Sequence, residues 1–215
     1  MIGQLLADRF SCRGFTDAQV PQDTLRDVFA KAQLTPSWCN TQPWRLRVTS
    51  GDATTRLVDV MAADPRFGSD LDFPPGYDGV YAERRREVGW QLYEAVGVTR
   101  GDREASGREM LRNFSFFGAP HAVIVPVPES LGVYAAVDAG LWVQSFLLSA
   151  AEAGLATCSQ AAIAGKADAV REFFGYGEDE RILCGIALGY ADPEHAANGF
   201  RAHRVPVEEA VTFHD

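Results

Sequence analysis

The run from Tyr134 to Ala153 is the feature that most constrains how this chain can fold. It is apolar on most faces, and its polar breaks are few: Asp138, Gln144, Ser145, Ser149 and Glu152. A helix of this kind has to be buried, either in a domain core or between subunits. A chain of 215 residues would struggle to cover such a helix alone. The run therefore predicts a buried helix and favours an interface between two copies of the chain.

The composition is that of an ordinary globular protein, and it limits the possible partners. Apolar residues make up 47% of the chain and charged residues 23%, and 215 residues fit a single domain, 1–215. The net charge of −9 supplies no basic field for a nucleic acid, so we expect no nucleic-acid partner.

The cysteines and the N-terminus indicate a cellular compartment. The four cysteines are widely spaced, without a Cys-x-x-Cys pair or a Cys/His cluster, so we expect free thiols and no metal site. The first residues lack a basic region followed by a long apolar core, so we expect no signal peptide. We also expect no apolar run long enough to span a bilayer. These features predict a cytoplasmic protein without a membrane partner.

Periodicity along the chain predicts both helices and strands. A short helix is expected from Leu5, and further helices at 21–34, 54–63, 80–96, 102–114 and 166–174. Strands are expected at 45–50, 121–127, 155–159 and 182–189. The Pro- and Gly-rich stretch 64–79 indicates a long irregular excursion, and loops of this length often serve as lids or binding loops.

A polar loop follows the second helix and has prolines near both ends. It reads Pro36-Ser37-Trp38-Cys39-Asn40-Thr41-Gln42-Pro43-Trp44. Its Asn and Gln side chains carry donors and acceptors that suit the edge of a flat heterocycle, and its Trp side chains offer broad faces. Turns use the same residue types, so the loop taken alone fits a simple turn equally well.

Two short segments concentrate arginine. Arg9 and Arg13 stand four residues apart with Ser11 between them. If the chain runs helically into a loop here, both guanidinium groups can converge on one anion, which would make a phosphate clamp. The alternative is a solvated basic turn. Near the C-terminus, the segment Asn198–Arg204 follows the strand-like run 182–190 and supplies a second pair of arginines.

In this order, these segments resemble the flavin-dependent nitroreductase superfamily. The resemblance runs from about residue 4 to the C-terminus and rests on four motifs. They are the Arg-x-Ser-x-Arg-x-Phe start at Arg9, the loop 36–44, Gly154-Leu155-Ala156-Thr157-Cys158, and Gly189–Pro193 followed by Asn198 and Arg204. Segments 93–97 and 113–120 look most like the branch that acts on nitrobenzoate-like and other nitroaromatic compounds.

The resemblance implies both a fold and an activity. The fold would be α+β, a central and mostly antiparallel sheet flanked by helices, in an intertwined homodimer with one flavin mononucleotide (FMN) at each end of the interface. The activity would be hydride transfer from NADPH or NADH to a nitroaromatic or quinone-like acceptor, by a ping-pong mechanism. Because a flavin carries the electron chemistry, the protein need only bind, orient and tune it, and we expect no catalytic side chain.

The resemblance also implies which residues contact the cofactor. Arg9, Ser11, Arg13 and Arg204 would bind the ribityl phosphate and nearby oxygens. Ser37, Trp38 and Asn40 would reach the flavin of the other subunit, and Gln42 would hold the loop or touch the pyrimidine edge.

A third segment, Thr157–Ala162, would run past the flavin ring and so bring Cys158, Ser159 and Gln160 to it. A backbone N–H near Ala161 would donate toward the reactive flavin nitrogen and stabilise charge on the reduced ring. Gln160 and Ala161 replace the acidic and small residues of some branches, which leaves the tuning of the ring open.

Several alternatives stay open on the sequence alone. Arg84, Arg85 and Arg86 would contact an acidic substrate or a nicotinamide phosphate, or form a solvated helix face paired with Glu83 and Glu87, which the charge pattern favours. Phe114, Phe116 and Phe117 would line an aromatic pocket or, as we expect, pack the core. Other possible functions are reductive dehalogenation, flavin fragmentation, and non-catalytic flavin binding or storage.

Overall fold

The computed structural model of the chain describes residues 2–214, which are built around one four-stranded sheet. Its strands are β1 (Arg47–Ser50), β2 (His121–Pro128), β3 (Ala156–Gln160) and β4 (Glu180–Gly189). Their order across the sheet is β1-β2-β4-β3, and every neighbouring pair is antiparallel. The expected α+β fold with a mostly antiparallel sheet is confirmed.

Eight α-helices accompany the sheet in the described part of the chain. They are α1 (Ile2–Asp8), α2 (Gln22–Ala32), α3 (Asp52–Ala63), α4 (Gly79–Ala95), α5 (Arg103–Leu111), α6 (Gly132–Glu152), α7 (Ala167–Phe174) and α8 (Val207–Ala210). The first seven lie where periodicity predicted helices, with ends displaced by a few residues. The sequence did not predict α8, because four residues make one turn and carry no periodic signal.

The sheet separates two hydrophobic clusters. Successive strand residues point to opposite faces, so a strand buried on both faces contributes to both clusters. Val123 faces the cluster that α2 and α6 complete, and its neighbour Ala122 faces the cluster that α3 and α7 complete. The register repeats this division on β4, because Val123 pairs with Ile186 and Ala122 pairs with Ala187.

Helix α6 is buried on one face only. Trp142 and Phe146 are fully buried there and stack on each other, with ring centroids 5.1 Å apart and planes 13° from parallel. The other face is apolar but exposed: Val133 is 71% exposed, Val137 53% and Leu141 48%. One chain therefore buries only one face of the helix that the sequence predicted to be buried, and leaves an apolar stripe on the other.

The same helix also meets the length and composition of a membrane span. The stretch Glu129–Glu152 has a mean hydropathy of 1.4 over its most apolar window, 33% of which is buried within the chain. The expectation that no apolar run reaches the length of a bilayer was therefore wrong on these two measures. The scattered polar residues suggested interruptions, but they are too few to bring the mean hydropathy of the run down.

Candidate functional site

The first arginine segment leaves α1 in an extended conformation. Ser11 forms an isolated parallel bridge with Thr157 of β3, and the Cys12 N–H donates to the Thr157 carbonyl at 3.0 Å. Helix α1 ends at Asp8, and the Arg9 N–H still donates to the Leu5 carbonyl at 3.0 Å, so the chain runs helically into this loop, as the phosphate-clamp interpretation required. The bridge at Ser11 then sets the course of the loop along β3. Arg9, Ser11 and Arg13 accordingly line one cavity.

That cavity also brings in the second arginine segment. Its volume is about 340 Å³, and its polar lining is Arg9, Ser11, Arg13, Arg201 and Arg204. Arg201 was not among the predicted site residues. The signal was present, since Arg201 and Arg204 stand three apart in the segment already singled out, and a turn of that length can bring both to one side.

None of the four cavity arginines forms an ion pair with a carboxylate among residues 2–214. Their hydrogen bonds go to backbone carbonyls instead: Arg13 donates to Ser11 at 3.2 Å, and Arg204 to Ala202 and His203 at 3.0 Å each. Arg201 donates to Asn198 at 2.8 Å and lies 4.0 Å from the Phe10 ring centroid. Four uncompensated guanidinium groups and a hydroxyl make a donor set suited to a phosphate ester.

Asn198 holds the two arginine segments together. Its carbonyl oxygen Oδ1 accepts from the Arg13 N–H at 2.9 Å, and its Nδ2 donates to the carbonyls of Gly14 and Asp192 at 2.8 Å each. Arg112 supports the same stretch, because its Nη2 donates to the Arg13 carbonyl at 2.8 Å. These contacts, which involve protein groups alone, order the backbone that carries Arg13.

Strand β3 continues past the cavity into the segment predicted to run beside the flavin ring. Ser159 and Ala161 are exposed there, whereas Cys158 is buried in the core cluster with Ile124 and Ile163. Burial raises the pKa of the Cys158 thiol. The side chain of Cys158 therefore packs the core, and the predicted cofactor contact at this position stays a prediction that only its backbone can make.

Gln160 is buried beside the segment that precedes β2. Its Nε2 donates to the Asn113 backbone carbonyl at 2.8 Å and lies 3.3 Å from the Asn113 side-chain oxygen, while its own Oε1 has no partner among the described residues. The amide thus ties the end of β3 to the stretch around Phe114. Phe116 and Phe117 are buried in the core, as expected, and Phe114 is partly buried.

The polar loop is held on α6 by Trp38. Its backbone N–H donates to both carboxylate oxygens of Asp138, at 3.0 and 3.2 Å, and its ring lies 4.5 Å from that of Tyr134. Three loop residues, Cys39, Asn40 and Gln42, have positive φ values of 51°, 55° and 46°. Such conformations cost about 1–3 kcal/mol each and cluster at functional sites.

Hydrogen bonds within the loop stabilise this conformation. The Gln42 N–H donates to Ser37 Oγ at 2.9 Å, and Gln42 Nε2 donates to the Asn40 carbonyl at 3.3 Å. Within one chain, none of Ser37, Trp38, Asn40 and Gln42 lines the arginine cavity. The structure therefore brings the phosphate-side residues together and leaves the loop on the exposed α6 face, next to the apolar stripe.

The irregular excursion 64–79 lies against the end of the β3 segment. The Gly68 N–H donates to the Gly165 carbonyl at 3.0 Å, and Lys166 Nζ donates to the carbonyls of Asp64 and Arg66, at 2.6 and 3.0 Å. The exposed ring of Phe67 meets Phe114 edge-on, with centroids 6.3 Å apart. Phe67 and Phe114 thus form an aromatic wall beside the segment that contains Ala161.

The three consecutive arginines of α4 do not pair with their helix neighbours. Arg84 forms an ion pair with Glu209 of α8 at 3.2 Å. Arg85 lies over the Tyr77 ring, 5.2 Å from its centroid, and Arg86 forms no ion pair among residues 2–214. All three arginines are exposed, as the favoured interpretation of a solvated helix face predicted. Its pairing with Glu83 and Glu87 was wrong, because those side chains do not approach within ion-pair distance in the described structure.

The cysteines are free thiols in this structure, and three of them are poor nucleophiles. Burial raises the pKa of Cys12 to about 11 and that of Cys184 to about 12. Burial also raises the pKa of Cys158. Protonated thiols react slowly, so none of these three residues suits covalent catalysis at neutral pH. Within residues 2–214, no group of three or more His, Cys, Asp and Glu side chains is arranged to hold a metal ion.

Comparison with known proteins identifies the relatives of this chain. The sequence profile of the Nitroreductase family matches residues 6–190. Nitroreductase NfnB of Mycolicibacterium smegmatis is 35% identical over 214 residues, covering 98% of this chain and 91% of that protein. A 4-nitrobenzoate reductase of Nocardioides sp. is 37% identical over 220 residues, covering 97% of this chain and 88% of the relative.

A solved structure shares the whole fold. The crystal structure of FMN-dependent nitroreductase NfnB from Mycobacterium smegmatis, in complex with NADPH, has a TM-score of 0.95 and 34% sequence identity. The match covers 100% of this chain and 98% of that one. The profile match, the sequence relatives and the shared fold lead to one conclusion: this chain belongs to the nitroreductase family.

Proposed function

We propose that this chain is an FMN-dependent oxidoreductase that transfers hydride from NADPH or NADH to nitroaromatic or quinone-like acceptors, with residues 1–215 working as one domain. The observation that carries the proposal is the arginine cavity. In a chain of net charge −9, four guanidinium groups that have no carboxylate partner within residues 2–214 converge on about 340 Å³. Such a local excess of positive charge is unfavourable unless an anion neutralises it.

The cavity residues hold the phosphate end of the cofactor. Arg9, Arg13 and Arg204 supply charge-assisted donors, and Ser11 adds a hydroxyl, with Arg201 completing the set. Arg201 stays in place through its contact with the Phe10 ring. Because Asn198 already orders the backbone of Arg13, binding costs little additional conformational entropy.

The exposed end of β3 contacts the ring. FMN, when bound, supplies the hydride chemistry, which no protein side chain can perform. Ser159 and the backbone N–H near Ala161 lie on the exposed side of this segment and would donate to the ring. Gln160 acts from behind, since its bond to Asn113 fixes the course of the segment that presents Ala161.

The polar loop serves the cofactor of a second subunit in this proposal. Ser37, Trp38, Asn40 and Gln42 lie outside the arginine cavity of their own chain and border the apolar stripe of α6. Covering that stripe with a second copy would bring the loop to the partner's cavity. The protein is then an intertwined homodimer, soluble and cytoplasmic, that needs neither a membrane nor a nucleic acid.

The relatives support the choice of reductant and acceptor. The related NfnB structure is a complex with NADPH, and the Nocardioides relative is named for the reduction of 4-nitrobenzoate. The aromatic wall of Phe67 and Phe114 lies next to the ring-side segment and suits an aromatic acceptor stacked over the flavin face.

A colour experiment tests the proposal. The purified protein should carry a yellow flavin that bleaches on adding NADPH and regains its colour on adding a nitroarene without oxygen. Colour that does not bleach would instead indicate a storage protein. Halide release from a haloarene would favour dehalogenation, and irreversible loss of the flavin spectrum would favour fragmentation. Protein that binds no flavin at all would refute the proposal.

A further inference from the structure

We propose that the cavity between the excursion and helix α4 binds a planar aromatic ligand that carries an anionic group. The site rests on the proposed function, to which it adds a means of selecting charged substrates. The cavity has a volume of about 790 Å³. Its lining comprises Pro74, Pro75, Gly76, Tyr77, Ala82, Arg85, Arg86, Gly89, Trp90 and Tyr93.

The cavity is distinct from the arginine cavity that suits the cofactor phosphate. Val88 of α4 lines the phosphate cavity, whereas Arg85, Arg86 and Gly89 line this one. At 100° per residue, Arg86 and Gly89 lie 60° apart and Val88 falls outside that face. The two cavities therefore flank the same helix, and a ligand in one does not occupy the other.

Two guanidinium groups in the cavity are free to bind an anion. Arg84 is neutralised by Glu209 of α8, but Arg85 and Arg86 form no ion pair within the described part of the chain. The acidic residues on the same helix, Glu83, Glu87 and Glu94, do not line the cavity. Adjacent arginines suit a carboxylate or phosphate, to which they donate bidentate hydrogen bonds.

Three aromatic side chains border these arginines. Tyr77 lies beneath Arg85, and Trp90 meets Tyr93 edge-on with ring centroids 5.8 Å apart. Arg86, Trp90 and Tyr93 follow one another at helical spacings of four and three, so they share a face of α4. A flat ring can stack on Trp90 or Tyr93 while its anionic substituent reaches the arginines.

The excursion that forms the wall opposite α4 is anchored four residues before its two prolines. Pro74 and Pro75 restrict their own backbone, and the excursion that carries them is anchored by Asp70. The Asp70 carboxylate accepts two hydrogen bonds of 2.6 Å from Arg171 Nη2 and one of 2.8 Å from the Ile182 N–H. A wall fixed in this way favours binding, because less order has to be imposed on the protein.

Two molecules of the proposed reaction carry the required chemistry. One is an acceptor with a carboxylate on its aromatic ring. The other is the reductant, whose adenine ring can stack while a phosphate meets the arginines. Both sources share an aromatic ring and an anion, and neutral acceptors lack the second feature. The cavity thus predicts discrimination by charge, which an aromatic wall alone does not give.

Equilibrium binding tests the site without relying on turnover. The FMN-loaded protein is titrated calorimetrically with benzoate, with its neutral counterpart benzamide, with 2′-AMP and with adenosine. Titrations are repeated on the double variant R85Q/R86Q and on R26Q/R56Q, which removes the same charge from exposed positions outside the cavity. We expect at least tenfold weaker binding of one anion by R85Q/R86Q, and unchanged binding by R26Q/R56Q.

The acceptor and the reductant are distinguished by which anion the R85Q/R86Q variant no longer binds. Selective loss of benzoate binding, with a matching rise in KM for 4-nitrobenzoate but not nitrobenzene, assigns the site to the acceptor. Selective loss of 2′-AMP binding, with a rise in KM for NADPH but not NADH, assigns it to the reductant. Equal affinities in all three proteins, or no preference of the unsubstituted protein for either anion over its neutral counterpart, would overturn the proposal.

The binding titrations also separate this inference from the proposed function. If the protein binds benzoate through Arg85 and Arg86 but reduces no nitroarene, the proposed site is supported and the proposed reaction is refuted. If every variant reduces nitroarenes with the same KM values, the proposed reaction is supported and the proposed site is refuted. Equal thermal unfolding midpoints of the two double variants would show that both are folded.

Discussion

The pairing of Ser11 with β3 explains how the arginine cavity forms. It holds the loop that carries Arg9, Ser11 and Arg13 beside the sheet, and Arg204 arrives from the far end of the chain through the Asn198 contacts. The residue types determined that an anion could be bound here. The pairing with Thr157 determined how the residues converge, and that pairing joins positions 146 residues apart (157 minus 11).

Arg204 offers the clearest test at this scale. The substitution R204A should weaken FMN binding about tenfold to a hundredfold, because one charge-assisted contact to the phosphate is lost. Riboflavin, which lacks the phosphate, should bind both proteins equally. Dissociation constants from flavin fluorescence quenching measure the effect, and R26Q is the control. An unchanged FMN affinity would remove Arg204 from the site.

His121 should make stability depend on pH. It is buried, its Nε2 accepts from the Val20 N–H at 2.9 Å, and its Nδ1 lies 2.7 Å from Ser50 Oγ. Burial lowers the pKa of His121 below its ordinary 6.5. The unfolded chain therefore binds more protons than the folded one, so the free energy of unfolding should fall as pH drops below about 6.5.

The variant H121Q checks the assignment, because Gln can still accept from Val20 but does not titrate. Urea unfolding at several values between pH 7.5 and 5 should show a flatter pH dependence for H121Q than for the unsubstituted protein. Asp64 does not interfere, since its hydrogen bonds to Arg66 lower its pKa to about 2, and its effect falls at more acidic pH. Parallel curves for the two proteins would contradict the role of His121.

At the scale of elements, the ring-side segment depends on close packing against β4. Gly185 of β4 pairs with Gln160, and a Cβ at Gly185 would lie 2.7 Å from Cγ1 of the buried Ile163. Ile163 belongs to the turn Ala161–Gly165. Because Gly185 has no side chain, Ile163 can pack directly against β4. This contact sets the position of the segment that presents Ala161.

The substitution G185A should therefore destabilise the protein and disturb the ring-side segment. Overpacking of this kind costs about 1–3 kcal/mol in the free energy of unfolding. G107A is the matched control, because a Cβ at Gly107 of α5 meets no atom within 4 Å. That control should be neutral or stabilising by up to about 1 kcal/mol. Chemical denaturation measures the free energy of unfolding of both variants. Equal values would contradict the prediction, because they would show that Ile163 shifts without an energetic penalty.

At the scale of the whole molecule, the exposed apolar stripe of α6 indicates a surface that binds another protein chain. Val133, Val137 and Leu141 recur every four residues and so lie on one side of the helix. Contiguous exposed apolar surface of this kind marks an interaction site. The adjoining loop of Ser37, Trp38 and Asn40 would enter the same interface, which links assembly to the completion of the cofactor site.

We expect the protein to be a homodimer of about twice 23.4 kDa by light scattering. The double variant V137E/L141E should dissociate it, because each new carboxylate would lose its water in the interface. V60E, on the exposed face of α3, should remain dimeric. A monomeric, flavin-loaded native protein would reject the homodimer, and a dimeric V137E/L141E variant would move the interface to another surface.

The kinetics should be ping-pong. Reductant and acceptor must each stack on the same flavin face within reacting distance, so one has to leave before the other binds. Initial rates at several fixed acceptor concentrations should give parallel double-reciprocal lines. Intersecting lines with two different nitroarenes would mean that both substrates are bound together. Substitutions of Phe67 should change acceptor preference without changing FMN affinity.

The sequence by itself determined the elements, the family and the chemistry. Hydrophobic periods of two and 3.6 are local properties, so the strands and the long helices could be located from residue order alone, as could the arginine segments and the polar loop. The same local information missed α8, Arg201 and the positive φ values of Cys39, Asn40 and Gln42. Asn tolerates a positive φ, but at Cys39 and Gln42 the conformation is stabilised by hydrogen bonds within the loop and by its anchor on Asp138.

Only the tertiary structure decided which side chains share a space. It placed the Cys158 side chain in the core, paired Arg84 with Glu209 rather than Glu83 or Glu87, and left Arg85 and Arg86 without an ion pair among residues 2–214. The physical reason is that burial and ion pairing depend on distances between residues that are remote in the chain. A residue sequence specifies what each group can bind, and the packed sheet and helices specify what lies within its reach.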